Sequence, residues 1–161
     1  FTNSAKERVK IVFVPSYLNG NDGIFNVDYY DLLIGMDVTV FPSYYEPWGY
    51  TPHESVAFSV PTITTTLAGF GLWAQKIGDN KGIDDGIEVI FRDDSNLYEV
   101  AQEITSLIYD FSLKSVEQID LLRSFARQLS DKKRLETFYP ILSGSLRQSF
   151  AQLFSQVIKA I

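Results

Sequence analysis

Ser43-Tyr44-Tyr45-Glu46-Pro47-Trp48-Gly49-Tyr50-Thr51-Pro52-His53-Glu54 follows directly on the apolar run Asp37-Val38-Thr39-Val40-Phe41-Pro42. The order reads as strand, Pro/Gly-broken turn and helix start. In an α/β protein such a turn lies at the carboxyl edge of a sheet and presents free backbone N–H groups at the positive end of a helix, a setting suited to phosphate. The stretch therefore predicts an anionic ligand held by the amides of Gly49, Tyr50 and Thr51, where the macrodipole amounts to about half a positive charge.

Outward from this turn, the apolar runs repeat. Val9 to Val14 is β-branched and nearly all apolar, as expected of a strand covered on both faces of a parallel sheet, and Pro15 ends it. Residues 16–27 carry the turn-rich Asn19-Gly20-Asn21-Asp22-Gly23, after which Asp28 is a candidate N-cap for a helix through Leu33. Asp37 to Pro42 reads as a second strand and Thr51 to Phe58 as a helix with Pro52 in its first turn. Pro61 to Thr66 is a third strand, ending at Gly69-Phe70-Gly71, and Gly86 to Phe91 is a fourth. Strands separated by segments long enough for a crossover give βαβ units and a parallel sheet.

From Ser95 the period changes. Leu97, Val100, Ala101, Ile104, Leu107 and Ile108 recur at helical spacing, as do Ile119, Leu122, Phe125, Ala126 and Leu129. A last helix is predicted from about Leu146, after a break at Pro140 and Gly144. The expected architecture is α/β: one domain over residues 1–161, with a Rossmann-like parallel sheet, flanking helices and a helical carboxyl-terminal third.

Composition narrows the function classes. The 161 residues are 45% hydrophobic and 14% aromatic, enough for a substantial core. A formal charge of −6 argues against nucleic acid or an anionic membrane surface as the main partner, so an anionic ligand must be met by local groups. Without cysteine there is no disulfide framework or thiolate chemistry, and one histidine gives no basis for a histidine-rich metal site. No metal and no cofactor are expected. No apolar run of membrane-spanning length and no secretory leader is visible, and the cytoplasm is the expected location. The start at Phe1, directly before an apolar strand, suggests a piece of a longer protein.

Two carboxylates flank the helix start. Glu46 and Glu54 are eight positions apart and would share a face on one continuous helix, but Pro47, Gly49 and Pro52 forbid one. Glu46 then belongs to the turn and Glu54 to the first turn of the helix, so that they line different walls of a small cleft. For Glu54 the competing reading is a capping box, with Thr51 as N-cap. For Glu46 it is a solvated turn carboxylate, although Tyr44, Tyr45, Pro47, Trp48 and Tyr50 make a nonpolar setting in which a carboxylate needs partners. Tyr29 is either core or a stacking platform for a base, and its spacing favours core. Gly69-Phe70-Gly71 reads as a tight turn, His53 as an exposed helix-start residue without a role, and neither a Walker lysine nor a full dinucleotide fingerprint is present. A purely structural α/β interaction domain with a capped helix is the remaining class.

Phe41 to Pro52, together with Glu54, closely resembles the signature of glycogen synthases of the animal and fungal type. Val9-Lys10-Ile11-Val12-Phe13 with Pro15, Asp28-Tyr29, and Pro61 to Thr65 with Gly69-Phe70-Gly71 agree with that family in order and spacing. The resemblance is close over about residues 8–72 and looser beyond. It implies the later part of the carboxyl-terminal, donor-binding domain of a two-domain retaining glycosyltransferase of the GT-B type, transferring glucose from UDP-glucose or ADP-glucose to a growing α-1,4-glucan. Carried over by position, Glu46 would be the catalytic-site residue on the transferred glucose, Glu54 would bind the ribose and Tyr29 would stack on the base. Trp48, Gly49, Tyr50 and Thr51 would line the diphosphate, through main-chain amides at the last three. The family's basic phosphate clamps and its amino-terminal, acceptor-binding domain lie upstream of the matched segments. The arginine-rich helix that senses a sugar phosphate in regulated relatives is not matched, since Ser115 to Arg127 offers Arg123 and Arg127 alone. The alternatives are a nucleotide-sugar-binding module without turnover and another retaining GT-B transferase. In a doubly wound order the first strand, Val9 to Val14, is expected either beside Val38 to Phe41 or covered by self-association.

Overall fold

The structure is a computed structural model that describes residues 3–78 and 81–138, with side chains as far as Lys132. The chain divides into two compact units, residues 1–36 and residues 37 onward.

The first unit holds one short helix, α1 (Tyr29–Leu33), with Asp28 extended at its N-cap. The preceding loop is built on Asp22, whose carboxylate accepts the N–H groups of Ile24 and Phe25 at 2.8 Å and of Asn26 at 3.0 Å. The expected strand over Val9 to Val14 does not form. Val9, Val12 and Phe13 are exposed, Phe13 by 80%. High β-propensity describes fit to a pleated, half-buried surface, and among the described residues no strand pairs with this segment to supply one. The peptide of Ile11 is instead engaged by the Asn3 carboxamide, which both accepts from and donates to it. Pairing beside Val38 to Phe41 is therefore also absent.

The second unit contains a parallel sheet of β1 (Thr39–Val40), β2 (Thr62–Thr65) and β3 (Ile87–Ile90), in the order β1-β2-β3. Thr39 is in register with Thr62, and Thr62 with Ile87. The helices are α2 (Tyr50–Ala57), α3 (Gly69–Ile77), α4 (Leu97–Ser112) and α5 (Val116–Phe138), with a 3-10 turn at Gly82–Asp85. The α/β class and the helical character after Ser95 are as expected, while the strands are shorter than read from the sequence. The helix expected from about Leu146, and the break at Pro140 and Gly144, lie outside the described residues. Among the described residues no helix is long and apolar enough to cross a membrane.

Residue alternation assigns the two faces. Ile87 and Val89 point to a core with Val56 of α2, Phe70 and Ala74 of α3, and Ala126 and Leu129 of α5. Val38, Val40, Ile63 and Ile90 point the other way, against Val100, Ile104 and Leu107 of α4. The central strand β2 is buried throughout, threonines included. Their hydroxyls are partly spent on positioning α2: Thr39 Oγ1 lies 2.6 Å from Ser55 Oγ and 3.0 Å from Thr62 Oγ1, a hydroxyl chain joining β1, β2 and α2.

The far end of α2 is held by α5. Arg127 Nη1 donates to Ala57 O at 2.6 Å, placing positive charge where helical carbonyls lack partners, and Arg123 Nη1 donates to Ser59 O at 3.4 Å just past the helix end. Both arginines of the 115–127 stretch thus serve α2.

Gly86 fixes how close α5 comes to β3. It has φ +81°, and a Cβ there would lie 2.3 Å from Ala126 N and 2.8 Å from Leu122 O. Gly86→Ala is expected to cost about 2–5 kcal/mol, combining left-handed strain with overpacking against backbone. Urea unfolding of the variant against wild type measures it.

Candidate functional site

Glu46 enters the site through its backbone. Its N–H donates to Leu67 O at 3.0 Å and its C=O accepts from Gly69 N–H at 3.1 Å, a parallel bridge that extends the β1–β2 pairing past both strands. Trp48 O then accepts from Phe70 N–H at 2.6 Å. The turn after β1 is thereby fastened to the start of α3. Gly69 permits the approach, since a Cβ would sit 2.3 Å from Pro47 O. Gly71 does the same beside Thr65 O, at 2.4 Å.

The sequence reading of Gly69-Phe70-Gly71 as a tight turn is corrected: a helix begins there. Phe70, Trp73, Ala74 and Ile77 carry the helical spacing that the two glycines obscure. The amides of Gly69 and Phe70 are consumed by the carbonyls of Glu46 and Trp48.

At α2 the outcome is the reverse. The N-cap is Gly49, in a left-handed conformation with φ 96° and ψ 75°, and no side chain caps the helix. The capping-box alternative is thus overturned, because Thr51 is already inside the helix and cannot act as its N-cap. The first helical bond, His53 N–H to Gly49 O, is long at 3.4 Å. Pro52 has no N–H to offer. Among the described residues, no acceptor meets the N–H groups of Gly49, Tyr50 or Thr51. Tyr50 and Thr51 are exposed, Tyr50 by 69%.

Glu46 lies against this helix start. A Cβ on Gly49 would be 3.3 Å from Glu46 Cγ and 3.2 Å from Pro52 Cγ, so the carboxylate's stem packs on the N-cap. Glu54 follows Tyr50 by one helical turn and lies near the same face. Both carboxylates are half-buried, and among the described residues neither has a hydrogen-bond or ion-pair partner. The structure therefore gathers Glu46, Gly49, Tyr50, Thr51 and Glu54 around one helix start.

Trp48 is placed differently. Its ring packs inward with Phe70, Trp73 and His53, at centroid separations of 5.8, 6.2 and 6.1 Å. Its side chain is half-buried and packs against the core. His53, read as an exposed helix-start residue, is in fact half-buried and stacked on Phe70 at 5.0 Å. Tyr29 belongs to the first unit, half-buried at the first residue of α1, with its ring edge-on to Tyr30 at 5.2 Å.

Sequence reasoning missed a group beyond β3. Arg92 Nη1 donates to Pro42 O, its guanidinium lies 5.4 Å from the Tyr44 ring centroid, and the Tyr44 hydroxyl donates to Asp94. That bond to Asp94 pushes the Tyr44 hydroxyl above the usual phenol range and keeps it a donor. The signal was the charged run Arg92-Asp93-Asp94 at the carboxyl end of a strand, where α/β proteins place ligand-handling groups. Among the described residues, no cluster of histidine and carboxylate ligands is arranged for a metal.

A glycogen synthase family model matches residues 1–160. The glycogen [starch] synthase of Caenorhabditis elegans is 39% identical over 141 residues, covering 85% of this chain and 21% of the relative. That of Neurospora crassa is 38% identical over 129 residues, 80% of this chain and 18% of the relative. Isoform 1 of Saccharomyces cerevisiae is 34% identical over 161 residues, 97% of this chain and 23% of the relative. The chain spans about a fifth of the length of these relatives.

If Gly69 is what lets the two loops join, Gly69→Ala drives Pro47 O away and opens the bridge. Amide hydrogen exchange at Glu46 and Phe70 is expected to rise at least about tenfold, which corresponds to about 1.4 kcal/mol of lost local protection. Exchange in β2 and α4 should stay near wild type.

Proposed function

The chain belongs to the glycogen synthase family, and from that premise we propose that it forms part of the donor-binding domain of a retaining GT-B glycosyltransferase. The reaction moves glucose from a nucleoside diphosphate glucose to a growing α-1,4-glucan. The observation that carries this reading is the set of amides at Gly49, Tyr50 and Thr51 that meet no acceptor among the described residues, beside the Glu46 carboxylate, which has no partner among them.

The chemistry follows from where charge develops. As the bond between the glucose anomeric carbon and phosphate breaks, negative charge grows on the leaving diphosphate, and donors oriented beforehand stabilise it without reorganising. Removing one such donor from an active site typically costs about 10²–10³-fold in rate. Glu46 accepts from the glucose hydroxyls and orients the sugar; Glu54 accepts from the ribose hydroxyls. The resemblance alone assigns Tyr29, in the first unit, to stacking on the base, and a stacked base contributes on the order of 1–3 kcal/mol. The resemblance to the animal and fungal group favours uridine over adenosine. A cytoplasmic location belongs to the same proposal.

A second reading concerns these 161 residues in isolation. Because they span about a fifth of their relatives' length, they are proposed to bind nucleotide sugar without turning it over, the acceptor site being supplied by an amino-terminal domain.

Calorimetric titration of the chain with UDP and with UDP-glucose tests the assignment. A carboxylate hydrogen-bonded to a ligand contributes about 1.5–3 kcal/mol, so Glu46→Ala is expected to weaken UDP-glucose by roughly 10- to 100-fold and leave UDP nearly unchanged. Glu54→Ala weakens both. An unchanged UDP-glucose affinity in Glu46→Ala removes Glu46 from the sugar site.

A further inference from the structure

We infer that Arg92 is a positioning residue that sets where the Glu46 carboxylate stands, acting from the end of β3 on the backbone that leads into the Glu46 turn. The inference rests on the donor-binding reading of that turn, and its first test does not depend on any ligand.

Arg92 works from a fixed base. Its N–H donates to Thr66 Oγ1 at 3.1 Å, and Thr66 N–H donates to Ile90 O at 2.9 Å, so the β2–β3 pairing continues through it. The following loop is bonded to itself. The Asp93 carboxylate accepts from Ser95 N–H and Ser95 Oγ, each at 2.8 Å, and from Asn96 N–H at 3.1 Å. Asn96 returns the support, accepting from Asp93 N–H at 2.9 Å and donating to Phe91 O at 3.0 Å. The bond from Ser95 N–H holds the Asp93 carboxyl below the usual carboxylate range.

From that base the side chain spans the end of β2 to reach the exit of β1. The guanidinium donates in its plane to Pro42 O and lies over the face of Tyr44, and the Tyr44 hydroxyl returns to Asp94. Ser43 O, between them, accepts from Thr65 Oγ1 at 2.7 Å. Pro42, Ser43 and Tyr44 are thus each held from β2 or from the loop after β3, and Glu46 comes two residues later.

A planar fork is needed for this geometry. Arginine can stack on a ring and donate at its edge at once; the lysine ammonium can do one or the other. The Arg92 Nε atom is buried and, among the described residues, meets no acceptor. A stray surface ion pair would leave that nitrogen in water. Burying it is a cost that the contacts at Pro42 and Tyr44 must offset.

The functional consequence is specific. Release of Pro42 and Tyr44 leaves the turn that carries Glu46 held by its ladder to Leu67 and Gly69 alone, while α2 stays fixed by the Thr39–Ser55 hydroxyls and, at its far end, by Arg127. Loss of Arg92 should therefore strike the sugar contact and spare the diphosphate contact.

The test uses Arg92→Ala, Arg92→Lys and Tyr44→Phe in this chain. Amide exchange is measured at Glu46, Gly69 and Phe70, followed by titration with UDP and UDP-glucose. Arg92→Ala is expected to speed exchange at Glu46 and Phe70 about tenfold and to cut the preference for UDP-glucose over UDP by about tenfold, with UDP affinity within twofold of wild type. Arg92→Lys should reproduce most of the loss although it keeps the charge, and Tyr44→Phe should fall between. If Arg92→Ala unfolds the chain, Arg92→Lys and Tyr44→Phe carry the same comparison. Unchanged exchange at Glu46 overturns the inference, as does equal weakening of UDP and UDP-glucose, which marks a general structural role. Faster exchange in a chain whose wild type binds neither probe supports the clamp on the turn and removes the donor-binding reading instead.

Discussion

The site side of the second unit depends on a short backbone ladder outside its regular strands: Glu46 N–H to Leu67 O, Gly69 N–H to Glu46 O and Phe70 N–H to Trp48 O. Two helices begin at this place, and the ladder treats them differently. It spends the first amides of α3 on loop carbonyls and so welds α3 to the turn. It leaves the first amides of α2 without acceptors among the described residues. The proposed anion site thus rests on an imbalance in hydrogen bonding, in a chain whose net charge is −6. Glycine enforces the imbalance, because any side chain at position 69 would strike Pro47 O.

Behind the ladder lies a packed aromatic wall. Trp48, His53, Phe70 and Trp73 contribute one ring each from the turn, α2 and α3, with Phe70 fully buried and stacked on Trp73 at 5.5 Å. Aromatic pairs of this kind add about 0.5–1.5 kcal/mol each beyond their buried area. Rigidity matters here because preorganised donors act through not having to move when charge develops. The opposite end of α2 is likewise fixed, by the arginines of α5 on carbonyls at and just past that end. The site sits at the end of a helix held at both its ends and along its buried face.

The broken turn, the parallel sheet and the helical region after Ser95 were legible in the sequence because each rests on local signals: proline and glycine placement, β-branched runs and helical periodicity. Failures came where a distant partner decides. Val9 to Val14 has the composition of a buried strand, but among the described residues no strand pairs with it. The start of α3 was hidden by Gly69 and Gly71, whose reason is the approach of Pro47 O and Thr65 O, a tertiary fact. The competing reading of Thr51 as the N-cap of α2 follows residue preference, yet a left-handed Gly49 takes that position and leaves Thr51 inside the helix. Trp48 was grouped with the ligand contacts by its place in the signature, and the packing of its ring on Phe70 and Trp73 is a further tertiary fact. Arg92 was missed because its partners, Pro42 and Tyr44, come from a different strand end.

The central claim is that the amides of Gly49, Tyr50 and Thr51 receive a diphosphate. The most direct measurement is a ¹H–¹⁵N titration of the chain with UDP, following those three resonances against the rest of the backbone. The account predicts that they shift downfield together and saturate with one dissociation constant, while Gly69 and Phe70, already bonded to carbonyls, stay nearly still. Saturable binding with the three resonances unmoved, or with the largest shifts at the start of α3, would contradict it.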